Sequence, residues 1–148
     1  MRKMLAALLL CALCVAVLRA QEPEGRPAVR FEAVDVYVDS GKSPLAAYQF
    51  ELAAEVGDMK IVGIEGGEHA AFKEPPYYDP AALMKHRVII AAFNTGADLP
   101  SGKTRVARVH VQVTGDAEPE YVVKLHVAAS ADGKEIKATA TLAGGTGK

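Results

Sequence analysis

The chain lacks tryptophan altogether, and its two cysteines, Cys11 and Cys14, both lie near its start. It has one long apolar run, Met4 to Leu18, which follows the short positive stretch Met1-Arg2-Lys3 and ends at Arg19-Ala20-Gln21. That order of charge, apolar core and small residue is the pattern of a secretory signal peptide. The run has 15 residues, whereas a helix that spans a bilayer needs about 20. Residues 1–20 are therefore expected to be a signal peptide cut near Ala20, and the mature protein is expected to be secreted or periplasmic. Leu10 and Leu13 precede the two cysteines where a lipid-attachment signal wants a small residue, so both read as ordinary leader residues. Cleavage would leave no cysteine, which excludes a disulfide, a thiolate metal site and a cysteine nucleophile in the mature part.

Positive charge is also scarce after the leader. Arg2, Lys3 and Arg19 account for three of the 17 Lys and Arg residues, and none of the 18 acids precedes Gln21, so the mature part carries 14 − 18 = −4. A mildly acidic chain lacks the basic footprint of a nucleic-acid binder and the attraction to anionic membranes.

Gln21 to Ala28 is polar, with two prolines and a glycine, and residues 21–30 read as a flexible lead-in. A period of two then begins. Val34, Val36 and Val38 alternate with polar neighbours, as do Tyr48, Phe50 and Leu52. A third strand is expected from Met59 to Glu65. Val88 to Phe93 is a continuous apolar run of strand length and reads as a central strand buried on both faces. Three alternating stretches follow, Ala107–Val113, Tyr121–Val127 and Ile136–Leu142, with Val127 grouped on the same face as Tyr121, Val123 and Leu125. Asp132-Gly133 is a strong hairpin signal between the last two. Residues 68–86 form the longest irregular segment. Its Glu74-Pro75-Pro76-Tyr77-Tyr78 stretch cannot be a central strand, because proline lacks the ladder donor. Asp79-Pro80 then starts one or two helical turns, with Asp79 as the cap. The tail, residues 143–148, is glycine-rich and should fray. Residues 31–142 are thus expected to form one all-β domain, a β-sandwich or jelly roll of about seven to nine strands with one short helix.

Catalytic chemistry finds no foothold. There is no Gly-x-Ser-x-Gly, phosphate loop or zinc-protease helix, and no pair of carboxyls stands out as glycosidase residues. Glu118-Pro119-Glu120 lacks the regular oxygen spacing and tight glycine turn of a calcium loop. The histidines are His69, His86, His110 and His126, and none shares a metal-ligand spacing with another. A simple hairpin about Glu118 would set His110 opposite His126, yet two ligands without a carboxylate make a weak site. No metal, cofactor or catalytic set is expected. Tyr77 and Tyr78 are the only adjacent aromatic pair. They either stack on a sugar or pin their loop to the core, and amphipathic tyrosines favour pinning.

From about residue 34 to 142 the chain resembles the cohesin domains of secreted bacterial proteins. The matching pieces are Val34–Val38, Ala46–Leu52, Lys60–Gly67, Val88–Phe93, Ser101-Gly102-Lys103 leading into Val106–Val113, and Ala131–Ile136. Their order and spacing carry the likeness. The resemblance implies a jelly-roll sandwich that docks a dockerin-like protein partner on the outer face of one sheet, without catalysis. On the matching strands Gln49, Glu51, Asn94, Arg108, His110 and Gln112 are the expected partner-binding residues. The resemblance also implies that His110 and His126 lie in opposite sheets. The alternative is a carbohydrate-binding module on the same fold, holding a polysaccharide through Tyr77 and Tyr78.

Overall fold

The computed structural model describes residues 25–144. The expected signal peptide and cleavage site, both cysteines, the first part of the expected lead-in and the end of the tail lie outside the described residues. Eight strands are present: β1 (Val29–Asp39), β2 (Ala47–Val56), β3 (Asp58–Gly66), β4 (Tyr77–Tyr78), β5 (Arg87–Phe93), β6 (Lys103–Thr114), β7 (Glu120–Ala129) and β8 (Thr139–Gly144). They form two four-stranded sheets, ordered β3-β6-β1-β8 and β4-β5-β2-β7, and every ladder is antiparallel. The expected all-β sandwich is what the chain builds.

The core follows from the period-two pattern, since successive side chains of a strand point to opposite faces. Val34, Val36 and Val38 of β1 and Val109 and Val111 of β6 turn inward and are fully buried. Phe50 and Leu52 of β2 and Ile90 of β5 meet them from the other sheet. Tyr48 stacks on Phe50 with ring centroids 5.8 Å apart and receives the edge of Phe72 at 5.1 Å. Its hydroxyl donates to the Val106 carbonyl at 2.9 Å, joining β2 to β6 across the core. Burial pushes the Tyr48 phenol well above its usual range, so it stays a neutral donor.

Tertiary context changes several local expectations. β1 begins at Val29, paired with Thr114, two positions inside the stretch that reads as a lead-in. The expected helical turns shrink to one 3₁₀ turn at Pro80–Ala82, where Asp79 does cap, accepting from the Ala81 N–H at 2.9 Å. A second turn, Ala70–Phe72, has no signal in the local sequence; it plants Phe72 in the core. β5 is not buried on both faces. Its inner side chains, Val88 and Ile90, are buried, while Ile89 and Phe93 face solvent, because nothing is layered over that side of the sheet. In β7 a bulge opposite Gln49 and Phe50 leaves His126 as the extra residue. An extra residue reverses the alternation beyond it, so Val127 points outward and is exposed, not inward with Leu125.

The Asp132-Gly133 turn forms locally. The Gly133 N–H donates to Ser130 O at 2.9 Å, and Gly133 takes the left-handed φ of 79° that favours glycine. The expected hairpin does not extend from it. After a single bridge, Ala129 to Glu135, the chain crosses to the other sheet, and β8 pairs with β1. Ile136, half-buried against the core, fills the crossing. The β6–β7 connection also changes sheets. Arg30 clasps it, with Nη1 donating to Gly115 O at 2.8 Å and Nη2 to Glu118 at 3.0 Å.

Candidate docking face

The outer face of the β4-β5-β2-β7 sheet carries several exposed apolar side chains. The ladder registers place its residues in rows. One row runs Tyr77, Ala91, Gln49, Val127. The rows beside it are Phe93, Ala47, Ala129 and Ile89, Glu51, Lys124, and Arg87, Ala53, Val122 lie beyond. Tyr77 is 71% exposed and Phe93 67%. Their rings lie nearly parallel, 11° apart, with centroids at 6.3 Å. Ile89, Val122 and Val127 add further exposed apolar side chains. Contiguous apolar patches of this kind on a soluble domain mark interaction surfaces, and aromatic residues are favoured anchors at their centres.

Charge on this face is largely self-contained. Arg87 Nη2 donates to Glu51 Oε2 at 2.7 Å, and this hydrogen bond holds the Glu51 carboxyl below its usual range. An open cleft of about 630 Å³, whose walls include Asp79, Lys85, Arg87 and Ile89, continues the face at its charged end.

The local segment that delivers Tyr77 is built from close approaches. Gly66 and Gly67 end β3 where a Cβ would lie 2.2 Å from Lys73 O and 2.3 Å from Arg105 O, respectively. Only glycine fits there. Glu68 then accepts from the Arg105 N–H at 2.8 Å, and the Gly67 N–H donates to Phe72 O at 2.6 Å. Pro75-Pro76 continues to β4, where Tyr77 pairs with Ala91 and Tyr78 with Ile90.

The expected site residues divide into four groups. Gln49 and Glu51 lie on this face. Arg108, His110 and Gln112 are on β6 and face out from the opposite sheet. They cannot join Gln49 and Glu51 in one contact surface, because the whole sandwich lies between them. Two of the three already have partners in the chain. Arg108 forks onto Asp35, with Nε at 2.7 Å from Oδ1 and Nη2 at 2.8 Å from Oδ2, and His110 Nε2 lies 2.8 Å from Glu65 Oε1. Asn94 follows the last residue of β5 but spends its carboxamide internally. Its Nδ2 donates to Ala71 O at 3.0 Å and its Oδ1 accepts from the Gly96 N–H at 2.7 Å. Tyr77 and Tyr78 are split by strand alternation: Tyr77 faces out, while Tyr78 packs against the core. They cannot flank one sugar; the exposed aromatic partner of Tyr77 is Phe93. Sequence reasoning misses Phe93 because it closes an apolar run that reads as buried. His110 and His126 belong to β6 and β7 in opposite sheets, as the family resemblance implies. Among the described residues, no three His, Cys, Asp or Glu side chains gather as a metal group.

The Asp35–Arg108 pair gives this fold a measurable acid sensitivity. The Arg108 hydrogen bonds, with Arg105 assisting at 3.8 Å, hold the Asp35 carboxyl below its ordinary value of 3.8. A depressed carboxyl stabilises the folded state above its unfolded pKa and loses that contribution as pH falls through the folded pKa. Asp35→Asn is therefore expected to reduce the drop in urea midpoint between pH 6 and pH 3. An undiminished drop in the variant would show that the pair carries none of it.

No family model matches the sequence, and no curated protein matches it. A solved structure does share its fold. A chain of the CaDoc0917–CaCohA2 complex, which holds a point variant of CaDoc0917 and was crystallised at pH 5.5, is 12% identical with a TM-score of 0.53, over 76% of this chain and 85% of that one. The seventh ScaB type I cohesin from Pseudobacteroides cellulosolvens is 13% identical with a TM-score of 0.47, over 71% and 73% of the two chains. The class is thus a two-sheet antiparallel sandwich with its connections crossing between sheets. Within that class the domain is cohesin-like in fold, at an identity that speaks for architecture alone.

Proposed function

We propose that this protein is a secreted, non-catalytic binding module that docks a dockerin-like protein on the outer face of the β4-β5-β2-β7 sheet. The observation that carries the reading is the exposed aromatic corner Tyr77–Phe93 on a flat, largely apolar sheet face. The cohesin-like fold and its likeness to a chain from a cohesin–dockerin complex support a protein as the occupant. The leader-like residues 1–20 support export. The sequence shows no recognisable catalytic or cofactor motif, which supports a role without catalysis.

The test is capture followed by titration. The mature chain would be used to isolate partners from the secretome of its source, and the partner would then be titrated against variants. Tyr77→Ala/Phe93→Ala is expected to weaken binding by about 2–4 kcal/mol, the scale of hot-spot aromatics, or roughly 30- to 1000-fold. Binding should depend only modestly on salt, because Glu51 and Arg87 already pair with each other and Lys124 is the other charge in the named rows of this face. Unchanged affinity in the double variant would sink the reading. Loss of affinity on changing Arg108 and Gln112 instead would move the site to the opposite sheet.

A second reading, a carbohydrate-binding module, is favoured by the same parallel rings, since exposed flat aromatics suit a sugar face. Its site would be Tyr77 with Phe93, and Tyr78 has no part in it. Retention on a panel of polysaccharides that vanished in the double variant would establish it. No retention on any of them would dismiss it.

A further inference from the structure

Asn94 looks from sequence like a surface contact, yet both ends of its side chain are used within the chain. Besides the β4–β5 ladder, the segments that carry the two exposed rings are linked by Asn94 and by the longer approach of His69 Nε2 to Asp98 Oδ1 at 3.8 Å. Phe93 ends β5, and Tyr77 begins β4, which has two residues and therefore only two ladder positions, Tyr77 with Ala91 and Tyr78 with Ile90. Two rungs at a sheet edge are marginal by themselves. Proline at positions 75 and 76 removes the donors that could lengthen the ladder toward the N-terminus. The position of Tyr77 must then be held from outside β4.

The holding contacts lie upstream. The Ala70–Phe72 turn is anchored on one side by Phe72 in the core and on the other by Asn94 Nδ2, which donates to Ala71 O at 3.0 Å. The same residue is fixed on its own strand. Its backbone N–H donates to Ala46 O at 2.7 Å, and its Oδ1 accepts from Gly96 at 2.7 Å. Asn94, directly after Phe93, is therefore bonded to the turn that leads into Tyr77. Between that turn and Tyr77 lie only Lys73, Glu74 and the conformationally restricted pair Pro75-Pro76, so the turn and Tyr77 are joined by a short, partly stiff segment.

We propose that Asn94 is a positioning residue: by tying the Ala70–Phe72 turn to the end of β5, it sets Tyr77 beside Phe93 and prebuilds the aromatic corner of the docking face. This inference rests on the reading of that face as the binding surface. Preorganisation of this kind lowers the ordering cost of binding without adding a contact.

The test needs no partner, so it can fail while the docking reading stands, and the reverse. The reporter is Ala91. Asn94 directs its N–H at the residue preceding β2, and alternate residues of an antiparallel strand point their N–H the same way. The Ala91 N–H therefore points to β4 and is protected only while Tyr77 is in place. In NMR spectra of the full mature chain, Tyr77–Phe93 ring cross-peaks and slow exchange of the Ala91 amide are expected. Asn94→Asp keeps the acceptor for Gly96 and removes the donor to Ala71. It should abolish the ring cross-peaks and speed Ala91 exchange by about tenfold, the scale of one lost hydrogen bond. The β1–β6 amides should keep their protection, which separates loss of positioning from loss of fold. Asn94→Ala should do the same to the rings and Ala91 and also release the Gly96 turn. Intact cross-peaks and unchanged Ala91 protection in Asn94→Asp would overturn the proposal, whatever happens in Asn94→Ala.

Discussion

Gly66→Ala is expected to destabilise the domain by about 3 kcal/mol or more, at or beyond the top of the usual range for overpacking a filled interior. The added Cβ would lie 2.2 Å from Lys73 O and 2.5 Å from Glu74 O. Both obstacles are backbone atoms, so no side-chain rotation can relieve the contact. The Lys73–Pro76 backbone must move away from β3, and that segment leads to Tyr77 on the candidate docking face. The variant should therefore lose Tyr77–Phe93 ring contact as well as stability. Gly66 does not sit at a positive φ, so the cost comes from contact and not from backbone conformation. Gly41→Ala is an instructive control. Nothing lies within 4 Å of its added Cβ, but φ is +59°; its smaller loss would reflect conformation alone. Urea unfolding of both variants checks the ranking. A Gly66→Ala midpoint within error of wild type would mean that the two segments do not approach this closely.

Phe50→Ala should cost about 3–5 kcal/mol, the scale for truncating a fully buried phenylalanine. That corresponds to a fall in Tm of roughly 10–20 °C for a domain of this size. Phe50 is fully buried, between Ile90 of β5 and Leu125 of β7 in its own sheet. It stacks on Tyr48, which reaches across to β6. Removing the ring leaves a cavity beneath the middle of the docking face and takes away one side of the support for Tyr48. With no cysteine after Cys14, no disulfide is available to limit the loss. Phe50→Leu, which keeps most of the volume, should recover more than half of it. Calorimetry on the two variants distinguishes these outcomes. Equal Tm values for Phe50→Ala and wild type would contradict the packing described for this core.

The sequence alone carries the architecture a long way. Alternation identifies the inward residues of β1, β2 and β6, because a strand with one buried face must repeat with period two. Asp79-Pro80 announces a capped turn, and Asp132-Gly133 a tight one, because those residue types satisfy local geometry without help from the rest of the chain. Alternation is silent, however, about which sheet a strand joins. Gln49 and Arg108 have the same local pattern and end on opposite sides of the molecule.

The remaining differences have the same origin. The run Val88–Phe93 looks doubly buried in sequence, but burial is decided by what is layered over a sheet, and among the described residues nothing is layered over the outer side of β5. Alternation assigns Val127 to the wrong face because a bulge against Gln49 and Phe50 inserts one residue. A bulge is a property of a pair of strands, invisible in either one. Asn94 reads as a partner contact and is an internal tie, since its acceptor at Ala71 is 23 residues away in sequence. The sequence thus determined the sandwich class and most inward positions, both of them local or compositional properties. The pairing of Tyr77 with Phe93, and the separation of Gln49 and Glu51 from Arg108, His110 and Gln112, were decided only when strands distant in sequence chose their neighbours.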